Sequence, residues 1–530
     1  MSNISYDVEF PAASRDEWRL LVQISLGAGR TINDLQSTTL DALDISPLYV
    51  DRPGETDVLA PDVAANARPI IAAASNASIT KNSLQWDNRL SIIGSTTTEC
   101  HEHAMSGLSG GVNSLELWLS DRSFPKGKTL PATAVAIAPD ISELTEILTD
   151  VQLDVAPISL RAGASFSAAS LALKSIWSAR GHKPESIQGA FNADPIGSLL
   201  NDGWLTGSID ETTGEMALLA LETARSHPQV RSVLVDVAVH HNAGASTVQE
   251  LVAAIATASQ YTDAMLDAGL SLEQACNTIS FRIACDSDVL MNVAKIRSLR
   301  QLWQHTVSSL ASSRSTQLQQ PKVITTAFDV ETSRRYLSRI DPWVNHLRNI
   351  AACSAAALTN SDAILVHPHN LIDGVRIDDD SEIADRVARN LPIILAEESS
   401  LNAVHDPMAG SYAIEHITDK LNQSAWQQLG TLQSVGGLAD AITKGHWQQS
   451  IADMNKQRMQ GIEEETTIMV GVNRFQPAES SPALKGDGAS TDAVVPGNAG
   501  TTATPLEIQR LTLPNELKTN DQGSAVGSQS

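Results

Sequence analysis

The chain has 530 residues, 42% of them hydrophobic, and 37 Lys and Arg against 61 Asp and Glu, for a formal net charge of −24. The apolar fraction suffices for a large core, whereas the acidic balance excludes sequence-independent nucleic-acid binding and disfavours an anionic membrane surface, both of which need clustered cations. No apolar run reaches the roughly 18 residues that span a bilayer. The first fifteen residues lack the basic and apolar regions of a secretory signal. Cys100, Cys276, Cys285 and Cys353 are too few and too scattered for a disulfide framework or a zinc site. The expectation is a cytoplasmic protein.

Three parts follow one another along the chain. In residues 1–85, a helix is expected over 16–27, with apolar residues at Trp18, Leu20, Leu21, Ile24 and Leu26 and Gly27 closing it. Pro47, Pro53, Gly54, Pro61 and Pro69 then punctuate a stretch that reads as an arm lying over something else, a subunit-interface segment. In residues 86–475, strand-like runs stand at 114–119, 157–160, 187–191, 233–239, 278–283, 323–328, 363–367 and 392–396, with 135–138 a ninth, accessory run. Amphipathic helical stretches separate them, at 168–180, 212–226, 248–268, 288–309 and 341–358. Strands alternating with helices mean βαβ units and a parallel sheet, and eight units predict a (β/α)8 TIM barrel. A doubly wound open sheet is the alternative, disfavoured because no Gly-rich dinucleotide turn follows the first strand. Residues 476–530 contain no Phe, Trp or Tyr. They read as a disordered polar tail in which only the apolar patch 506–513 could dock.

In a barrel, function sits at the C-terminal ends of the strands. Those positions here are Asn192, Asp194, His240, His241, Asn242, Asp286, Asp329, His367, His369 and Asn370. Asn192, His240, His241, Asn242 and His367 are carried forward as barrel-mouth candidates, while no residue is assigned a catalytic, cofactor-binding or metal-binding role. The short motifs carry little. Gly107-Leu-Ser109-Gly-Gly111 fits the nucleophile-elbow pattern, but a strand-like run follows it where a helix is required. Gly127-Lys128-Thr129 resembles the end of a phosphate loop, with Arg122 where the first glycine should be. His240 and His241 are adjacent and face different ways. His101 and His103 could share a face on a strand but lack a third ligand nearby. Asp378-Asp379-Asp380 reads as a solvated loop.

Several stretches, in order, resemble the methylmalonyl-CoA mutase family of adenosylcobalamin-dependent carbon-skeleton isomerases. Phe10-Pro-Ala-Ala-Ser-Arg-Asp-Glu-Trp18 and Asp44-Ile-Ser-Pro-Leu-Tyr49 are similar to its opening arm. Gly181-His-Lys-Pro-Glu-Ser-Ile-Gln-Gly-Ala-Phe-Asn-Ala-Asp194 is similar to a helix-to-strand stretch of its barrel. Ala243-Gly-Ala245, Met291-Asn-Val-Ala-Lys-Ile-Arg297, Leu302-Trp303 and Asp341-Pro-Trp-Val-Asn345 follow. Glu397-Glu-Ser399, Asp406-Pro-Met-Ala-Gly-Ser-Tyr412, Gly436-Gly437 and Gly471-Val-Asn-Arg-Phe475 complete an agreement over residues 8–475. The resemblance implies a barrel threaded by coenzyme A.

The departures point to one kind of member. Catalytic chains of the family carry Trp-Thr-Ile-Arg-Gln-Tyr; the similar piece here, Trp86-Asp-Asn-Arg89-Leu-Ser91, has serine in place of the tyrosine. Their substrate-contacting Tyr-His pair falls on Ala238-Val239, and the arginine that grips the substrate carboxylate falls near Asp202. No Asp-x-His of a cobalamin-binding, flavodoxin-like domain occurs in the sequence. The resemblance therefore implies a small, non-catalytic subunit. It would pair with a large catalytic subunit that binds adenosylcobalamin and interconverts succinyl-CoA and methylmalonyl-CoA. A split mutase, with this chain as the catalytic barrel and cobalamin on a separate protein, is one alternative. A stand-alone CoA-binding regulatory protein is the other.

Overall fold

A computed structural model describes residues 14–51, 86–94, 96–119, 137–313, 326–372, 375–376, 381–477, 500–512 and 515. Gly127-Lys128-Thr129, Asp378-Asp379-Asp380 and much of the 1–85 arm lie outside them. Eight parallel strands close into a barrel in chain order: β1 Asp87–Ile92, β2 Ser114–Trp118, β3 Ile158–Arg161, β4 Gly189–Ala193, β5 Val230–Asp236, β6 Ile279–Cys285, β7 Ala327–Thr332 and β8 Ala363–Leu365. Pairing of β7 with β6 on one side and β8 with β1 on the other completes the ring. The fold is the expected (β/α)8 barrel.

Two of the expected strands are corrected. Residues 392–396 lie within the helix Ser381–Glu397, Pro392 included. The first strand is instead β1. Its sequence, Asp-Asn-Arg-Leu-Ser-Ile, alternates polar and apolar only at its end, so it carries almost no apolar strand signal. Of the 135–138 run, residues 135 and 136 are outside the description, and Ile137 and Ala138 form no strand. The expected 233–239 strand also ends early, at Asp236, and a short helix, Ala238–Asn242, takes over.

Period-two alternation explains the barrel's two faces. In β2 Leu115 and Leu117 are outward, in β6 Ile279, Phe281 and Ile283, and in β7 Phe328 and Val330; all are buried under the helices. The intervening residues, Ser114 and Glu116, Ser280 and Arg282, Asp329 and Glu331, face the lumen. Flanking helices carry conventional caps: Ser208 and Ser246 each form capping boxes, with Glu211 and Gln249, at the starts of Ile209–Ser226 and Thr247–Asp267.

At the N-terminus the helix Arg15–Leu26 begins at Ser14, ends at Gly27 (φ 73°) and buries no residue. The following stretch packs on the barrel's helices, where Asp41 accepts from the Val248 amide at 3.2 Å and Lys420 donates to the Asp44 carbonyl at 2.5 Å. Toward the C-terminus, residues 500–505 correct the expectation of disorder, and 506–512 of the apolar patch dock with them. Thr501–Thr502 pairs antiparallel with Trp204–Leu205. The amides of Leu506, Gln509 and Leu511 then donate to the carbonyls of Leu200 (2.6 Å), Asn242 (2.8 Å) and Arg335 (3.0 Å). This strap crosses the loops that follow β4, β5 and β7, and it buries Leu511 and Thr512.

Candidate functional site: a barrel crossed by ion pairs

The lumen is filled by charge. Arg282 on β6 pairs with Glu116 on β2, the strand four places away and so diametrically opposite; its other nitrogen lies 3.2 Å from Asp236 on β5. Arg161 on β3 reaches Glu331 on β7, again four places away, at 3.4 Å, and Asp236 at 3.3 Å. Arg89 on β1 donates to Asp329 on β7 at 2.5 Å. Above these pairs, at the C-terminal mouth, the Arg161 guanidinium lies 4.2 Å from the Trp118 ring centre. Arg334, from the loop after β7, stands 5.8 Å over the same ring and 3.8 Å from Glu331. Two diameters of the barrel are thus spanned by salt bridges, and its mouth is bridged by Trp118 and Arg334.

Such ions are stable only as a set. Glu116, Arg282 and Glu331 are at most 2% exposed, and isolating any of them would leave an uncompensated buried charge. Burial by itself would raise the Glu331 carboxyl, but His367, Arg334 and Arg161 hold it well below the usual range. Burial likewise opposes the charge on Arg282, and Glu116 with Asp236 more than restores it.

The sequence-selected mouth residues divide between this network and the loops around it. Asn192 adopts a left-handed conformation (φ 55°) at a register shift in β4, and its amide donates to Ser159 Oγ and the Leu160 carbonyl, both at 2.9 Å; asparagine tolerates that backbone better than most residues. Asn242 donates to Glu331 at 3.3 Å, and His367 Nε2 lies 3.7 Å from the same carboxylate. Asp194 caps the helix Pro195–Asp202. It accepts from the Gly197 amide, the Tyr261 hydroxyl and the Asp236 amide, while burial raises its pKa to about 6.

His240 and His241 part company. Trp447 donates to His240 Nδ1 at 3.1 Å. His241 bonds Glu250 through Nδ1 at 2.7 Å and Ser333 Oγ through Nε2 at 2.8 Å, and Lys295 completes the cluster 2.7 Å from Glu250. Burial depresses both histidines to about 4. For Glu250 burial pushes upward, but Lys295 and His241 hold it at about 2. His241 is therefore a neutral imidazole, donating from Nδ1 to an ionised Glu250 and accepting from Ser333. Asp286 receives Arg335 at 3.3 Å, and against its burial His241, Arg335 and Lys295 hold it well below the usual range. His369 packs at 5.0 Å on Trp343, with Asn370 buried beside it in sequence.

The remaining motif residues are structural. Ser109 ends the helix Thr97–Ser109 and donates to the Ser106 carbonyl; helix before and strand after is the reverse of a nucleophile elbow. His101 and His103 lie on that helix, two residues apart, on different sides. His101 bonds the Ile147 carbonyl and His103 stands 3.5 Å from Asp385. Among the described residues no group of three or more His, Cys, Asp or Glu is placed to hold a metal ion.

Residues 86–494 match the family model described as methylmalonyl-CoA mutase. The chain belongs to the methylmalonyl-CoA mutase family. It is 30% identical to the methylmalonyl-CoA mutase small subunit of Streptomyces virginiae over 91% of this chain and 74% of that protein. To the small subunit of Propionibacterium freudenreichii it is 26% identical, covering 92% and 74%. The methylmalonyl-CoA mutase of Escherichia coli aligns at 31% identity over 44% of this chain and 31% of its own length. The family's motifs act here as clamps. Asn345 of Asp341-Pro-Trp-Val-Asn345 holds the Ser338 amide and carbonyl and the His369 carbonyl. Asn473 of Gly471-Val-Asn-Arg-Phe475 holds Ile462, Thr467 and Met469. Arg297 binds Asp406 and Glu415.

Mutases of this family depend on cobalamin. The described mouth does not fit such a group: Trp118 and Arg334 meet across it, His241 has both nitrogens engaged and His367 is buried against Glu331. Of the lumen carboxylates, strand-end position marks Asp329, which pairs with Arg89, but not Glu116 or Glu331. The signal for these two and for Arg282 was present as single charges inside apolar strands, Leu115-Glu116-Leu117, Phe281-Arg282-Ile283 and Val330-Glu331.

Proposed function

We propose that this chain is the small, non-catalytic subunit of a heterodimeric methylmalonyl-CoA mutase. In this reading a large subunit binds adenosylcobalamin and acyl-CoA and performs the isomerisation, while the present chain serves as its structural partner in the cytoplasm. The observation that carries the proposal is the pair of salt bridges across the barrel, Arg282–Glu116 and Arg161–Glu331. A coenzyme A arm threading this lumen would have to separate both, leaving buried ions unpaired at several kcal/mol each. Ser91, Ala238-Val239 and Asp202 support it: by resemblance they fall where catalytic chains carry a tyrosine beside the radical and cofactor, a histidine bonding the thioester and an arginine gripping the substrate carboxylate. So does the engagement of both His241 nitrogens, by Glu250 and Ser333, which leaves that histidine no donor for a thioester. The four cysteines, all buried and none in a disulfide, agree with a reducing compartment.

The test is turnover of succinyl-CoA with added adenosylcobalamin, by the chain alone and after co-purification with a candidate large subunit. Activity confined to a one-to-one complex is expected. Turnover by this chain alone would overturn the proposal.

A further inference from the structure

Away from the lumen, one face of the molecule is apolar and open. Trp343 caps the helix Val344–Leu358, and Trp343, Leu347 and Ile350 fall on one side of it at spacings of four and three residues. All three are exposed, Leu347 by 64%. Ile468 and Val470, each about half exposed, flank them. Between the two groups lies a half-open cavity of about 400 Å³, lined also by Tyr336 and by Leu511 of the docked strap.

Two guanidiniums line the same cavity, Arg348 and Arg458. Arg348 donates to Asn345 Oδ1 and the Val470 carbonyl, both at 2.7 Å, and Arg458 donates to the carbonyls of Gly244 and Ala245. Among the described residues no carboxylate lies within ion-pairing distance of either. Burial lowers both, Arg458 to about 10. Asp341 acts on Arg348, and Asp286 and Glu250 on Arg458, from beyond ion-pairing distance, so the cavity is an apolar recess with two guanidiniums in its wall.

We infer that this recess receives an apolar segment bearing a carboxylate from the large mutase subunit. The inference rests on the small-subunit proposal above. A contiguous apolar patch rimmed by polar groups marks an interaction surface, and Trp and Arg around a recess are the residue types that dominate interface energies. The carboxylate follows from charge complementarity with the two unpaired guanidiniums. A second copy of this chain is the poorer occupant. A two-fold contact through this face would set Arg348 and Arg458 against their own kind.

The experiment compares Leu347→Asp with Leu171→Asp, an equally exposed leucine on the helix Phe166–Ala179 after β3. Affinity for the large subunit is measured by analytical ultracentrifugation and the melting temperature of each isolated chain is recorded. L347D is expected to weaken the complex by about 100-fold or more, with L171D and both melting temperatures unchanged. Arg348→Met is expected to flatten the salt dependence of association. Wild-type assembly with L347D unaffected would overturn the inference and leave the small-subunit proposal standing, whereas absence of any complex would overturn the proposal itself. A drop of several degrees in the isolated L347D chain, or a homodimer that L347D dissolves, would assign the face to this chain's own segments or to a second copy and also overturn the inference.

Discussion

Replacing Arg282 by methionine removes the centre of the lumen network while keeping most of its volume. Arg282 is 2% exposed and serves two carboxylates, Glu116 from across the barrel and Asp236 at 3.2 Å. After the change, Glu116 (3.8 Å) and Asp236 (3.3 Å) are left to Arg161 alone, which also shares Glu331 (3.4 Å) with Arg334 (3.8 Å), two cations for three buried anions. Breaking a buried pair from one side costs about 3–5 kcal/mol. At about 2.1 cal/mol/K per residue, some 400 cooperatively unfolding residues give an unfolding entropy of about 0.8 kcal/mol/K, so Tm should fall by about 4–6 °C. The companion variant Glu116→Leu/Arg282→Met removes both charges of the diametric pair and should recover most of that loss, since a hydrophobic pair of similar volume is often as stable as the ion pair it replaces. Urea unfolding followed by tryptophan fluorescence, with E116L, R282M and the double variant, closes the cycle. A single-variant cost below about 1 kcal/mol would refute the reasoning, because the lumen would then have to be hydrated enough to screen its own ions.

The His241–Glu250–Lys295 cluster contributes to the acid limb of stability, beside the depressed carboxyls of Glu331 and Asp286. Glu250 has a folded pKa of about 2 against an ordinary 4.5, so its contribution, about 3 kcal/mol, is complete above pH 4.5 and lost as pH falls toward 2. His241, depressed from 6.5 to about 4, adds a loss that begins as pH falls through 6.5. Glu250→Gln should remove the lower part of this dependence, and stability curves parallel to wild type between pH 2 and 4.5 would contradict the assignment. In the strap, Leu511 is 1% exposed, so Leu511→Ala should cost about 2–4 kcal/mol. The amides of Leu506, Gln509 and Leu511 should be protected in hydrogen exchange, and exchange at unfolded rates would show the strap undocked. For the ligand, the isolated chain should bind succinyl-CoA at least about 100-fold more weakly than the two-subunit complex by calorimetry. Equal affinities would reopen the lumen as a CoA channel.

The barrel was legible because seven of its strands carry apolar runs separated by amphipathic helices. What escaped was written in the opposite sense. β1 faces the lumen with Asp87, Arg89 and Ser91, so its inward half reads as a loop, while Pro392-Ile-Ile-Leu-Ala396 has a strand's composition and was drawn into a helix whose buried face takes Leu391, Leu395 and Ala396. The docked strap was masked by its polarity. It is held chiefly by backbone donors, which carry no side-chain signature, and Leu506 and Leu511 were its visible part.

At the mouth, the sequence located Asn192, Asn242 and His367 beside the network without revealing what they serve, because their meaning depends on Glu331, Arg161 and Trp118 arriving from other strands. Neighbours in sequence also diverge in space, as His240 and His241 do toward Trp447 and Glu250. A single charge flanked by apolar residues in a strand has two outcomes: it faces solvent in an open sheet, or it faces the axis in a closed one. Only closure decides between them. Once eight strands are known to close, Glu116, Arg282 and Glu331 must find partners across the ring, and four-strand separations such as β2 to β6 and β3 to β7 place those partners on a diameter. The same topology that would form a substrate channel in a barrel lined with small residues therefore turns, with these side chains, into a cross-braced core.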